Sequence, residues 1–482
     1  MSSEQLLNSK HVETDIVIVG AGGAGLTAAV TAAEKGAKVI VIEKGRKPGG
    51  LSAMAGGLFA AESPVQKRLR CDVSKEEIFK LYMEFTHWKP NPRVVRAFID
   101  KSGDTIQWLE DKGVVFEHIC SNYPGQFPLT WHCMPPRMGG IIIVKMLTEQ
   151  CEYLDIQILN KCPAKRVMKN KEGKITGVLV ETEDGEMTIE TKAVIIATGG
   201  YGGNKDMLKK YYPLYNENMI HLGKPHKGEG LQMAMEAGAA TESLGMLLTH
   251  GPMCPGPGEV DALARQPETV WVNKFGERFV DETITLRFPE CGNAFDRQPD
   301  GVSYNLLDEA IKQDRTQRGI SHLHVSIVAA TPLEKVDESF ERAVKKGVAR
   351  ISDSWDDIAK WMGADPKVLN ATIDEYNSSC DKGYDNLFGK THENLKALKH
   401  PPFYAMKCYG SFLNTVGGIM INERMEALDK KTQPISGLYV IGNDAGGWIA
   451  DTYNLSTASG TAFGFAINSG RIAGEDAAEY VK

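Results

Sequence analysis

Residues 16–30 read IVIVGAGGAGLTAAV, and this stretch decides the fold. The β-branched run ending at Val19 suits a strand buried on both faces of a parallel sheet. Gly20, Gly22 and Gly25 then spell G-x-G-x-x-G. The first allows a tight turn, the second lets backbone approach a pyrophosphate, and the third lets the next helix pack on the strand. The helix predicted over GLTAAVTAAEKG stops at Gly36. A second strand, AKVIVIEK, ends at Glu43, 23 positions beyond Gly20, where such units place a carboxylate for the ribose hydroxyls. A dinucleotide is therefore expected here, NAD or FAD by the fingerprint alone.

Three further stretches favour FAD. KPGGLSAMAGGLFA (47–60) follows Glu43 directly and is rich enough in Gly and Ala to pass close beside a flat ring. KAVIIATGGYGGN (192–204) is a β-run ending in Ala-Thr-Gly-Gly, preceded by two hairpin-like strands, ITGVLVE and EMTIETK. SGLYVIGNDAGG (436–447) repeats the strand-plus-glycine format near the C-terminus, before the helical TAFGFAINSGRIAGEDAAEYV. A nucleotide site made from both ends of a chain, with an insertion between, is the FAD arrangement.

The bulk properties agree. The chain has 482 residues, 24% charged and 42% hydrophobic, as in a soluble protein of about two domains. A net charge of −7 without a Lys/Arg block argues against nucleic acid as a partner. The N-terminus is polar and lacks the apolar core of a secretion signal, and no run approaches the ~20 apolar residues of a membrane span. The nine cysteines form no C-x-x-C pair, so they read as reduced cytoplasmic thiols with little support for structural zinc.

The ordered set VGAGGAGLTAA, IEK, ATGGYGGN, HKGEGLQMAMEAGA, VNKFGERFVDE, TVGGIMIN, GLYVIGNDAGG and SGRIAGE resembles the fumarate reductase and succinate dehydrogenase flavoprotein family, which also holds urocanate reductases and 3-ketosteroid dehydrogenases. The resemblance runs nearly end to end. It implies an α/β fold: a Rossmann-like FAD-binding domain assembled from residues 1–247 and 412–482, with an inserted α+β capping domain at 248–411 whose hinges lie near 247 and 411. It also implies which positions meet FAD. These are Gly20, Gly22, Gly23, Ala24 and Gly25 in the first turn, Glu43 and Lys44 after the second strand, and Gly50, Leu51, Ser52, Gly56 and Gly57 in the loop. Ala164, Thr198, Gly199, Gly200, Asn204, Gly228 and Gly230 follow. Gly442, Asn443, Asp444, Ser459, Gly460, Thr461 and Ala462 complete the set from the C-terminal end. The loop has no histidine for a covalent flavin link, so non-covalent FAD is expected. A helix starting near Gly460 would aim its N–H groups at the flavin N1–O2 edge.

The resemblance further implies a two-electron reaction at an activated C–C bond. Reducing a polarised C=C needs hydride from flavin N5, a proton donor and polarisation of the activating carbonyl. The family's acid is an Arg shortly after the segment that here reads ERFVDE, which points to Arg287 with a one-residue insertion. Arg265, eight residues before Asn273, matches the relay Arg, with Asp261 or, next, Glu259 as its carboxylate. His250 matches a substrate-binding His.

The departures bear on substrate. Fumarate reductases carry a His-Thr pair before the Gly-Gly of TVGG, where this chain has Asn414-Thr415, and no basic residue precedes Arg471 in NLSTASGTAFGFAINSGR. A desolvated carboxylate left unpaired costs several kcal/mol. The substrate expected is therefore not a small dicarboxylate, but an enone or enoate of the 3-ketosteroid or arylacrylate kind. Ser459-Gly460 matches the ketosteroid pattern, with Thr457 where that pattern has Tyr. The loop YPGQFPLTWHCMPPRMGG (123–140) offers Tyr123, Phe127, Trp131, His132 and Met134 either as a pocket lining or as a loop packing its own aromatics. The alternatives are a fumarate reductase with an altered clamp, an L-aspartate oxidase-like enzyme, and a non-catalytic flavin-binding protein. No C-x-x-C-H haem motif and no second Rossmann fingerprint occur, so electrons are expected from NADH, reduced flavin or a redox protein.

Overall fold

The computed structural model describes residues 11–123, 126–134, 139–320 and 333–482. The polar N-terminal stretch, and residues 124–125 and 135–138 of the aromatic loop, lie outside the described residues. The chain divides into two compact units. One gathers the N-terminal part through Pro213, Gly223–Leu247 and Asn414–Lys482; the other is Leu214–Leu222 with Leu248–Leu413. The short excursion 214–222 carries no sequence signal. It joins the second unit because Ile220 and His221 pair, in parallel, with Ser411 and Phe412.

The first unit is built on an eight-stranded sheet. Its strands are β1 (His11–Val19), β2 (Val39–Ile42), β3 (Gln157–Leu159), β4 (Ala164–Lys169), β5 (Ile175–Thr182), β6 (Gly185–Ile196), β7 (Glu426–Leu428) and β8 (Pro434–Val440). Five strands run parallel in the order β8-β6-β1-β2-β3. Ile16, Val17 and Ile18 of β1 are fully buried, as β-branched residues covered on both faces should be. EMTIETK and KAVII, expected as separate strands, form the single strand β6. No Gly or Pro interrupts them, so the first half makes a hairpin with β5 while Thr188 to Ile196 pair with β1.

Glycine is required at two points of the first turn. Gly20 has φ +110°, and a Cβ there would lie 2.4 Å from the Ala197 carbonyl oxygen. A Cβ on Gly25 would lie 1.9 Å from the oxygen of Gly20. Helix α1 (Gly23–Glu34) follows, and α2 (Thr461–Tyr480) packs along it. Gly470 and Gly474 bring α2 so close that added Cβ atoms would sit 2.5 Å from Ala24 O and 2.7 Å from Ala28 O. The C-terminal helix thus lies against the first helix of the chain.

The second unit centres on residues 403–413 of a long strand, flanked antiparallel by Val302–Asp308 on one edge and Ala349–Ser352 on the other. Two helices follow the Ala349–Ser352 strand, Trp355–Met362 and Pro366–Lys382. Gly363 closes the first in the left-handed region, and Asp365 caps the second with Pro366 in its first turn. Both pack on a core that includes Ile358, Leu369, Tyr376 and Met406.

That unit also buries an ion network, which explains the GERFVDE signature. Arg278 grips both oxygens of Glu282 at 2.8 Å and reaches Asp385 at 2.8 Å. Lys390 lies 3.1 Å from Glu282 and donates to the Thr269 carbonyl at 2.9 Å. Glu282 also accepts from the Trp271 N–H. Burial alone would push the Glu282 carboxyl up, but Lys390 and Arg278 outweigh it and hold it below its ordinary value. The network fixes the start of the segment 282–287, and so the backbone entry to Arg287.

Two outcomes are expected. Gly25→Ala forces the turn apart, costs about 1–3 kcal/mol or more, and lowers the flavin-to-protein absorbance ratio of the purified protein; a wild-type ratio and melting midpoint would contradict this. Glu282→Ala takes the carboxylate from buried Lys390, leaves Arg278 with Asp385 alone, and costs about 3–5 kcal/mol in urea unfolding at neutral pH. Because the folded-state pKa is depressed, the carboxylate's contribution is present above the unfolded pKa of ~4.3 and is lost as pH falls through the folded value. A variant within about 1 kcal/mol of wild type in that unfolding would remove the network from the stability account.

Candidate functional site

The carboxyl ends of β1, β2, β6 and β8 carry the glycine turn, Glu43, Thr198-Gly199-Gly200 and Gly442-Asn443-Asp444. Parallel α/β sheets place ligands at this edge, where the strand order reverses about β1. Glu43 turns its carboxylate back onto the turn, accepting from Ala21 N–H at 2.9 Å and from Gly45 N–H at 2.6 Å. Gly49 donates to Ala21 O at 2.9 Å, and Ser52 Oγ accepts from Gly23 N–H at 3.0 Å. A short 3-10 helix over Gly50–Met54 therefore lays Gly50, Leu51 and Ser52 beside Gly22 and Gly23. A Cβ on Gly22 would meet nothing within 4 Å, whereas Gly20, Gly23 and Gly25 are hemmed in. An open cradle at the second glycine, with helix α1 starting beside it, fits a pyrophosphate.

Asp444 joins the two chain ends. Fully buried, it accepts through Oδ2 from the Thr198 N–H, from Thr198 Oγ1 at 2.9 Å and from Gly199 N–H at 3.0 Å. Its Oδ1 accepts from Gly200 N–H at 2.8 Å. Burial pushes this carboxyl up, opposed by those hydrogen bonds. Asp444, expected to face the cofactor, spends its carboxylate on bracing the loop 198–200. Gly442 stands close to Ala24 of α1, its added Cβ 3.2 Å away.

Several other expected contacts resolve into supports. Asn204 caps helix Lys205–Tyr211 through Met207 N–H and donates to Lys227 O. Gly228 caps helix Glu229–Glu236 at φ +83°, and a Cβ on Gly230 would strike Thr198. Lys44 and Glu229 pair at 2.7 Å, tying IEK to GEG. Ala164 opens β4, two residues after Cys162, whose N–H bonds Glu43 O. Gly57 pairs with Cys133 in a small sheet, and Gly56 directly precedes that strand.

At the C-terminal end, Gly460 caps α2 and its carbonyl accepts from Phe59 N–H at 3.0 Å. Thr461 binds the Ala458 carbonyl, and Ala462 N–H is donated to the hydroxyl of buried Tyr453 at 2.8 Å. Tyr453 thus takes one of the N–H groups expected to face a flavin, a role no motif signals. Ser459 Oγ donates to Leu455 O and accepts from Asn122 N–H, so its hydroxyl proton is engaged. Asn414 accepts from Gly202 N–H and donates to Gly199 O, while Thr415 Oγ1 accepts from Tyr201 N–H. Both hold the TGGYGG turn. Arg471 pairs with Asp104 at 2.7 Å and lies over the Trp108 ring. Of the aromatic loop, Tyr123, Trp131, His132 and Met134 are buried, but Phe127 is 76% exposed.

In the second unit Asp261 and Arg265 form a pair, Nη2 to Oδ2 at 2.5 Å, on helix Gly258–Ala264 and its cap. Asp261 also accepts from Cys254 N–H, and burial raises its carboxyl against the pull of Arg265. Glu259 is turned elsewhere, to Lys335 N–H and Ser339 Oγ. Thr285 donates to the Arg265 carbonyl at 2.7 Å, two residues before Arg287, whose side chain is exposed. His250 stacks on Phe288, ring centroids 3.8 Å apart.

Residues 15–459 match the FAD binding domain family. The chain is 34% identical to a vinyl phenol reductase of Lactiplantibacillus plantarum, over 98% of both chains. It is 30% identical to a cytochrome fumarate reductase of Shewanella frigidimarina, over 99% of this chain and 79% of that one. Its fold is similar to that of a 3-ketosteroid-Δ4-(5α)-dehydrogenase from Rhodococcus jostii RHA1, with TM-score 0.76 and 23% identity over 99% of both chains. The glycine cradle, the carboxylate at the end of β2 and these matches agree: the chain belongs to the FAD binding domain family and is an FAD-dependent oxidoreductase.

Proposed function

We propose that this enzyme reduces a C=C bond conjugated to an aromatic ring or a carbonyl group, in a substrate that is not a small dicarboxylate. One observation carries the reading: Asn414, which stands where fumarate reductases carry a histidine, is committed to the protein's own backbone at Gly199 and Gly202. A carboxylate desolvated without such anchors is costly. The end-to-end similarity to a vinyl phenol reductase supports an aryl alkene. Phe288, next in sequence to Arg287, is buried against the ring of His250, which sets an aromatic pair beside that arginine in the chain.

The cofactor, when bound, supplies the hydride chemistry. The first turn, Glu43, Gly50–Ser52 and the loops after β6 and β8 hold it without a covalent bond. Arg287 donates the proton that completes the saturated product. An arginine can do so only if its proton is restored, and the Asp261–Arg265 pair is the chain that returns it. NADH, reduced flavin or a redox protein supplies the electrons.

Arg287→Ala should retain FAD and its reduction by dithionite, yet lose at least ~10²-fold of aryl-alkene reduction; undiminished turnover removes Arg287 from the mechanism. Titrating the oxidised enzyme with 4-vinylphenol should perturb the flavin spectrum, whereas millimolar fumarate should not. A tight shift with fumarate alone would overturn the substrate class.

A further inference from the structure

We infer that His118, Cys120 and Cys133 form a zinc-binding site on the small three-stranded sheet of the first unit. The strands are Gly57–Phe59, His118–Cys120 and Trp131–Cys133, with the last in the centre. His118 stands directly opposite Cys133, and Cys120 lies two residues along the same strand. Side chains alternate in a strand, so all three share one face of the sheet. On its other side Cys133 pairs with Gly57, which adds no side chain over that face. His132, one residue away, points to the opposite face, where its ring binds Ser63 Oγ at 2.6 Å and Thr130 O at 3.0 Å.

The ligand atoms already converge. Cys120 and Cys133 Sγ are 3.4 Å apart, and one histidine nitrogen and the two sulfurs all lie within 4.8 Å of one another. A tetrahedral zinc ion with bonds of about 2.3 Å to sulfur and 2.0–2.1 Å to nitrogen sets its ligand atoms roughly 3.3–3.8 Å apart. The sulfur pair, at 3.4 Å, already stands within that range. One nitrogen and two sulfurs suit borderline Zn²⁺ better than Mg²⁺ or Ca²⁺, which take oxygen ligands. Binding exchanges two thiol protons for one Zn²⁺, leaving two thiolates and a neutral imidazole around it and a fourth position for water. The ion would staple the sheet whose Phe59 N–H bonds Gly460 at the start of α2. No spacing motif announces the site, because its ligands meet through strand register.

The test uses the FAD-loaded enzyme, reduced and stripped by a chelator. Zinc is titrated against a chromogenic chelator, and Co²⁺ is followed by its red-region bands, which lie outside oxidised flavin absorption. One Zn²⁺ per chain is expected, with tetrahedral Co²⁺ bands. Cys120→Ser and His118→Ala should each weaken affinity at least about tenfold at unchanged flavin content; the exposed His118 makes its variant the safer one for folding. Wild-type affinity no better than that of Cys120→Ser overturns the site, as does finding only a Cys120–Cys133 disulfide with no metal uptake after reduction.

Discussion

A single buried carboxylate holds the two ends of this chain together. Asp444 sits in the loop after β8, more than 400 residues beyond the glycine turn, and accepts three backbone N–H groups and a hydroxyl from Thr198–Gly200. A buried carboxylate without those donors would cost several kcal/mol, so the loops after β6 and β8 are obliged to meet. With β1 between β6 and β2, that meeting sets the carboxyl edge on which Glu43, Ser52 and the glycine turn converge. The closeness of α1 and α2, possible only at Gly470 and Gly474, reinforces the same juxtaposition.

The same economy shapes the substrate argument. Polar residues near the flavin-binding edge are largely spent on the protein: Asn414 and Thr415 on the TGGYGG turn, Ser459 on Leu455 and Asn122. Under the proposed function, a site whose donors are already engaged offers little to a dianion. In the second unit, by contrast, Arg265 and Asp261 are paired with each other, and Arg287 is exposed.

Much of this was legible in the sequence because it is local. The β-branched run, three glycines and Glu43 lie within 28 residues and dictate one supersecondary unit. The residues that meet only through the fold were not. The Asp444 brace, the Lys44–Glu229 pair and the Tyr453 cap join segments far apart or carry no motif. Asp444 and Asn204 drew attention as cofactor contacts since polar residues in glycine-rich loops look alike whether they face a ligand or a backbone amide. The choice between Asp261 and Glu259 also needed coordinates, because both stand in the first turn of one short helix. His118, Cys120 and Cys133 show the limit most clearly, for a metal site assembled by strand register leaves no spacing to read.

The central claim is that a flavin seated on this carboxyl edge delivers its reducing equivalents to an aryl alkene and not to a dicarboxylate. Anaerobic mixing of the photoreduced enzyme with one equivalent of 4-vinylphenol tests it directly. The account predicts full reoxidation of the flavin with an equal amount of 4-ethylphenol formed, and no reoxidation by fumarate on the same timescale. A flavin that stays reduced with 4-vinylphenol and is reoxidised by fumarate would contradict it.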